Sequence, residues 1–172
     1  MILPMEGDEA SGWKPGKPTI FLNTAFVEME PAFSPDGRWI AYTSNESGTV
    51  EVYVRPFPGP GGKTLISNNG GTFPVWSPAR RELIYQSADQ HLMAVPYTST
   101  ADTFVPEKPR PWSESQSPVV TWAGRRAFAL HPDGARLVLP AARDANLSKS
   151  DRVVLVVNFF DEIRRLAPTP NR

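Results

Sequence analysis

Gly62-Lys63-Thr64 is the first group in this sequence that could do chemistry, because a phosphate-binding loop ends in glycine, lysine and a hydroxyl. That motif also needs a glycine five residues before Gly62, where the chain has Phe57. Pro58 and Pro60 fill the loop, and a strand-like run follows it, so no helix N-terminus would face a phosphate. The triplet reads as a hairpin loop. No G-x-S-x-G nucleophile elbow occurs, and the glycine-rich loop, HRD and DFG signatures of kinases are absent. His91 and His131 lack HExxH spacing, and a chain without cysteine offers no thiolate to complete a zinc set. It also offers no cysteine nucleophile and no disulfide.

Asp36 and Asp133 have the chemistry of general acids or metal ligands, but they recur. They belong to a ten-residue phrase that occurs three times: FSPDGRWIAY at Phe33–Tyr42, WSPARRELIY at Trp76–Tyr85 and LHPDGARLVL at Leu130–Leu139. An active site occurs once, whereas a turn residue returns with its repeat. His131 stands where the other phrases have Ser34 and Ser77, which makes it a turn residue too. No catalytic, cofactor-binding or metal-ligating residue is therefore assigned, and the binding residues stay unknown. Trp112 and Trp122 flank a loop and could line a ligand surface, while Trp39 and Trp76 read as core. Asn45-Glu46-Ser47 and Asn146-Leu147-Ser148 fit the glycosylation pattern and are taken as chance.

The elements that hold these residues follow from the repeat. Pro35 presets φ and Asp36-Gly37 tolerates positive φ, so each phrase predicts a strand, a tight turn and a second strand. After the first phrase, Val50–Phe57 alternates as a third strand and Lys63–Ser67 makes a short fourth, with turns at Asn45–Gly48 and Asn68–Gly71. The second repeat runs through Glu82–Ser87 and His91–Tyr97 into a long polar segment, Thr98–Pro118. The third has strands at Ala127–Leu130, Arg136–Pro140 and Arg152–Val157, then a short helix at Phe159–Leu166. Its acids lie in the first turn and its arginines in the last, matching the helix dipole. At the start, Ile2–Gly7 and Thr19–Asn23 resemble the third and fourth strands of a repeat whose first half is missing.

A period near 40–45 residues made of short strands is that of a β-propeller blade. The expected fold is all-β: a partial β-propeller of about three four-stranded antiparallel blades plus a short C-terminal helix. Residues 1–24 are the remnant of a preceding blade, 25–71 and 72–118 are blades, and 119–172 hold the last blade and the helix. The 19 prolines agree with many short strands, at roughly twice the ordinary share of about 5%.

The residues from Glu30 to Lys63 (EPAFSPDGRWIAYTSNESGTVEVYVRPFPGPGGK), with SNNGGTFPVWSP and RRELIYQS after them, resemble the TolB-type propellers at the C-termini of bacterial serine/threonine protein kinases. The resemblance covers nearly the whole chain. It implies a ring of about six or seven blades that binds, gates or senses while another domain does the chemistry. The sequence departs from that pattern in two ways. Ala79-Arg80 replaces Asp-Gly in the middle phrase, which predicts a distorted turn, and at least two blades are missing.

Lys+Arg and Asp+Glu balance at 18 each, so no net field recruits nucleic acid or an anionic membrane. No apolar run reaches the ~20 residues needed to cross a bilayer, and the start lacks the pattern of a signal peptide. The chain is expected to be cytoplasmic by default, or extracytoplasmic if it belongs to a longer receptor-like protein. Its expected function is non-enzymatic: a propeller fragment that binds or senses a protein partner or small ligand. The alternatives are a half-propeller that pairs with another copy to close a ring, and a detached accessory domain of a kinase or prolyl-oligopeptidase-type peptidase.

Overall fold

Each repeat phrase folds back on itself around its Pro turn, and the two strands it makes are the first pair of an antiparallel sheet. A computed structural model describes residues 1–113 and 128–138 of the chain. These belong to one unit, Met1–Ala141; the expected strand at Arg152–Val157, the helix at Phe159–Leu166 and Trp122 lie outside the described residues. Among the described residues the fold is all-β, with no helix.

The first sheet holds β3 (Glu28–Phe33), β4 (Trp39–Ser44), β5 (Glu51–Pro56) and β6 (Thr64–Leu65) in that order, after a hairpin of β1 (Met5–Asp8) and β2 (Gly12–Pro15). The second sheet holds β7 (Gly71–Trp76), β8 (Glu82–Ser87) and β9 (Leu92–Ser99). Two strands pair with β9: β10 (Phe104–Pro106) near its end and β11 (Arg110–Pro111) nearer its start. A third sheet is formed by β12 (Ala129–Leu130) and β13 (Leu137–Val138). All pairings are antiparallel.

The long polar segment Thr98–Pro118 thus contains structure that its composition hides. Arg110 pairs with Ala94 as Thr64 pairs with Val54, and Trp112 donates to the Leu92 carbonyl as Ile66 donates to Val52. RPWS is therefore the second repeat's counterpart of TLIS, and β10 is an added hairpin before it. The same pairing marks the start of the chain, where the Ile2–Thr19 bridge matches Val54–Thr64. The β1–β2 hairpin extends that bridge.

Both first strands carry a bulge at the same place. Glu30 and Phe73 sit at φ of 57° and 56°, each followed by proline inside the strand, and the pairing with the next strand shifts there. The turns are equally regular. Gly37 and Gly134 take φ of 69° and 68°, as an Asp-Gly turn requires. The middle turn differs as expected, since Arg80 stays out of the left-handed region and its carbonyl accepts from the Glu82 N–H at 2.8 Å. The strands keep their alignment regardless: Ser77 N–H to Glu82 carbonyl, 2.9 Å, reproduces Ser34 to Trp39.

Strand alternation sends each sheet's residues to two faces, and these faces stack. One cluster joins Trp39, Ala41, Val52 and Val54 of the first sheet to Trp76, Leu83, Tyr85 and Val95 of the second. The opposite face of the second sheet, with Ile84, Leu92 and Ala94, meets Phe128, Leu130 and Leu137. Phe104 closes the outer end of the first junction, 5.2 Å from Trp39 and 4.9 Å from Tyr97 between ring centres.

Candidate functional site

The turns of successive repeats lie together at one end of the sheets. A Cβ added at Gly134 would come within 2.7 Å of Ser77 Oγ and 3.3 Å of Ala79 Cβ, which places the third turn against the second. A shallow hollow of about 200 Å³ joins Pro35 and Asp36 of the first turn to Ser77–Arg81 of the second. Beside it, a larger hollow of about 440 Å³ lies between the Pro56–Thr64 loop and Ala101–Phe104, with Trp39 on its wall. The loops that join the third and fourth strands build this second hollow, and the added β9–β10 turn supplies one of its sides.

The chemistry of this end is that of structural turns. Asp36 accepts from Ser34 Oγ at 2.5 Å and from the Arg38 N–H at 3.2 Å. Partial burial pushes its carboxyl up, but these donors outweigh it and hold the group below the usual carboxylate value. Asp133 is held well below that value, first by the Ala135 N–H at 2.8 Å and then by Arg136 Nε at 2.7 Å. His131 Nδ1 accepts from the Asp133 N–H at 3.2 Å, and the Arg136 guanidinium lies 3.3 Å from its ring nitrogens. Each side chain is occupied in holding its own turn. His91 pairs with Asp89 at 3.1 Å in the β8–β9 turn, far along the sequence from either repeat acid.

Lys63 is also engaged. Its ammonium pairs with Glu46 and stands 5.4 Å from the centre of the Tyr53 ring, in the hairpin loop expected from the sequence. Trp76 lies in the core as expected, and its indole N–H donates to the Ala32 carbonyl across the sheets at 2.9 Å. Trp39 is also buried, yet its indole N–H has no partner among the described residues. Trp112, one of the two tryptophans that could line a ligand surface, packs on the core between the second and third sheets. Among the described residues no three His, Cys, Asp or Glu side chains are grouped to hold a metal, and no helix is long and apolar enough to cross a membrane.

Two buried acids carry no mark in the sequence. Glu51 is buried and accepts from Ser67 Oγ and from the Gly70 N–H at 2.8 Å, which ties the start of β5 to the turn that enters the next repeat. Glu82 is buried at the position held by Trp39 in the first repeat, and Arg110 pairs with one of its oxygens. The spacing between Glu51 and the Ser-x-x-Gly turn was visible, but nothing in one sequence marks a strand-end acid as buried.

A further concavity, about 320 Å³, lies on the face of the first sheet turned away from the second. It is lined mainly by Ile2, Phe21, Met29, Phe33, Ile40 and Tyr42, with Glu28 at its wall, and is mostly apolar. Compared with protein-family models and with curated proteins, the sequence matches none.

Proposed function

We propose that this chain is a non-catalytic segment of a TolB-type β-propeller, like those of bacterial serine/threonine kinases, and that it binds a ligand or a protein at its turn end. Repeat-equivalent sheets in face-to-face contact support the propeller reading. The binding reading rests on one observation: both polar hollows sit at the same end, between the turns and loops of neighbouring repeats. The larger, at about 440 Å³, falls in the range of ligand sites, roughly 300–1,000 Å³. Proline-stiffened walls limit the entropy lost on binding. Its polar groups include Lys63, Asp102 and Thr103, which suit a peptide or a small polar ligand better than a lipid.

Peptide-display selection on the immobilised chain tests this. Peptides selected on the wild-type chain should lose binding to Thr103→Arg, which fills the hollow from its exposed rim, and keep it on Arg80→Gln at the other hollow. Failure to select any peptide, or binding indifferent to Thr103→Arg, would overturn the site. ATP-hydrolysis and peptidase activities should stay at background, and turnover by the purified chain would overturn the non-catalytic reading.

A further inference from the structure

We infer that Asn69–Gly70 is a site of spontaneous covalent modification, by succinimide formation and deamidation, which buried Glu51 holds silent while the turn between the first two sheets stays closed. The inference concerns this turn alone and does not depend on the ligand reading.

Asparagine followed by glycine occurs once in the chain, at this turn. The pair favours ring closure, because glycine sets no side chain beside the nitrogen that attacks. In the reaction the Gly70 backbone nitrogen forms a bond to Asn69 Cγ and the Cγ–Nδ2 bond breaks. Ammonia leaves with the proton that the attacking nitrogen gives up. Water then opens the cyclic imide at either carbonyl. One route leaves aspartate at this position, and the other leaves isoaspartate, whose backbone runs through the former side chain and is longer by a carbon.

The fold leaves one reacting partner open and ties up the other. Asn69 is exposed to solvent, whereas Gly70 is buried. The Gly70 N–H donates to Glu51 Oε1 at 2.8 Å, and Glu51 itself is 5% exposed. Ser67 Oγ donates to the other carboxylate oxygen and accepts from the Val52 N–H at 2.8 Å, which fixes Glu51 in place. Next along the chain, the Gly71 N–H donates to the Val50 carbonyl at 2.9 Å. Gly70 also lies against Ala88, where an added Cβ would come within 2.8 Å of the Ala88 Cβ. Ring closure requires the Gly70 nitrogen to give up its proton and turn toward the Asn69 side chain. That turn would strip a buried carboxylate of a donor and pull Gly70 off Ala88. Modification therefore waits for the turn to open. It also makes the opening one-way, since the longer isoaspartate backbone no longer carries the Gly70 N–H to Glu51 while Gly71 holds Val50.

Peptide mass spectrometry of the full chain, aged in mildly alkaline buffer, reads the amide-to-acid exchange at Asn69. The folded wild-type chain should deamidate there about a hundredfold more slowly than the same chain unfolded in urea. Glu51→Ala, folded by circular dichroism, should raise the folded-state rate by about tenfold or more. Val95 lies beside Leu83, at the opposite end of β8 from Ser87, the partner of Gly71. Val95→Ala loosens the core there and should leave the rate near that of the wild type. If Glu51→Ala does not fold, Glu51→Gln, with a single acceptor oxygen for two donors, takes its place. Equal rates in the folded and unfolded wild-type chain, a folded Glu51 variant no faster than wild type, or an equal acceleration in Val95→Ala would each overturn the inference.

Discussion

The Glu30 carboxylate accepts a 2.8 Å hydrogen bond from the backbone N–H of Phe73, the residue in its own place one repeat later. Both residues are the left-handed member of a bulge, so the first sheet grips the second where their two irregularities meet. The bulge frees the Phe73 N–H from the ladder, and the carboxylate satisfies it. An ionised acceptor of this kind is worth about 1.5–3 kcal/mol. Glu30→Ala should lower unfolding stability by about 2 kcal/mol in urea denaturation. Glu30→Gln, which keeps an acceptor oxygen, should lose less than half of that. Equal losses in both variants would refute the grip.

Gly71 and Gly37 separate two reasons for glycine. Gly37 has φ of 69° and open space around a would-be Cβ, so alanine there costs only backbone strain, about 1 kcal/mol. At Gly71 a Cβ would stand 2.4 Å from both Cβ and Oγ of Ser67 and 3.2 Å from the Tyr85 ring. Ser67 cannot move away without giving up buried Glu51, to which its hydroxyl donates. Gly71→Ala should therefore cost more than Gly37→Ala, about 2–3 kcal/mol, as measured by chemical denaturation. The opposite order would show that Ser67 adjusts freely.

These residues also mark what the sequence made legible. The strands around each Pro turn were plain, because β-branched and aromatic residues alternate there and Asp-Gly names the turn. Thr98–Pro118 looks like a polar loop in the sequence, since β11 is only Arg110–Pro111 and neither residue favours a strand. Its identity comes from pairing with Ala94 and Met93, a tertiary fact. The bulges had a local signal, Pro31 and Pro74 inside strands, but their mutual bond depends on how sheets stack. The hairpin β1–β2 was invisible because all its residues are exposed and no apolar alternation announces it.

Tyr85 predicts the alkaline limit. Burial, followed by the nearby charges of Glu51 and Asp89, pushes its phenol up to about 12. The unfolded chain releases this proton near the ordinary value of 10. Between these values the folded state holds the proton that the unfolded state has lost. The stabilisation is thus complete below pH 10 and drains away as pH rises toward 12. Tyr85→Phe should flatten the fall in melting temperature between pH 9.5 and 11.5, both about the window that Tyr85 sets. A fall just as steep in the variant would place the alkaline sensitivity elsewhere, with Tyr42 and Tyr97, also raised by burial, as the next groups to replace.

Trp39 and Trp76 are both buried in the first junction, and their indole nitrogens separate them. Trp76 Nε1 donates across the sheets to the Ala32 carbonyl at 2.9 Å. Removing that donor leaves a carbonyl short of a partner and takes away a contact between two sheets. Trp39 Nε1 is desolvated with no acceptor among the described residues, so the folded state already bears the cost of its burial. Both substitutions by phenylalanine lose similar apolar area, and that part cancels in the comparison. Trp76→Phe should therefore be more destabilising than Trp39→Phe by about 1–2 kcal/mol in parallel denaturation curves. Trp39 also lines the larger hollow, where a bound peptide carbonyl could accept from its indole after a small shift. In that event Trp39→Phe weakens peptide binding while leaving the fold nearly as stable. Equal destabilisation by the two variants would mean that Trp39 has an acceptor in solution and that its burial costs nothing.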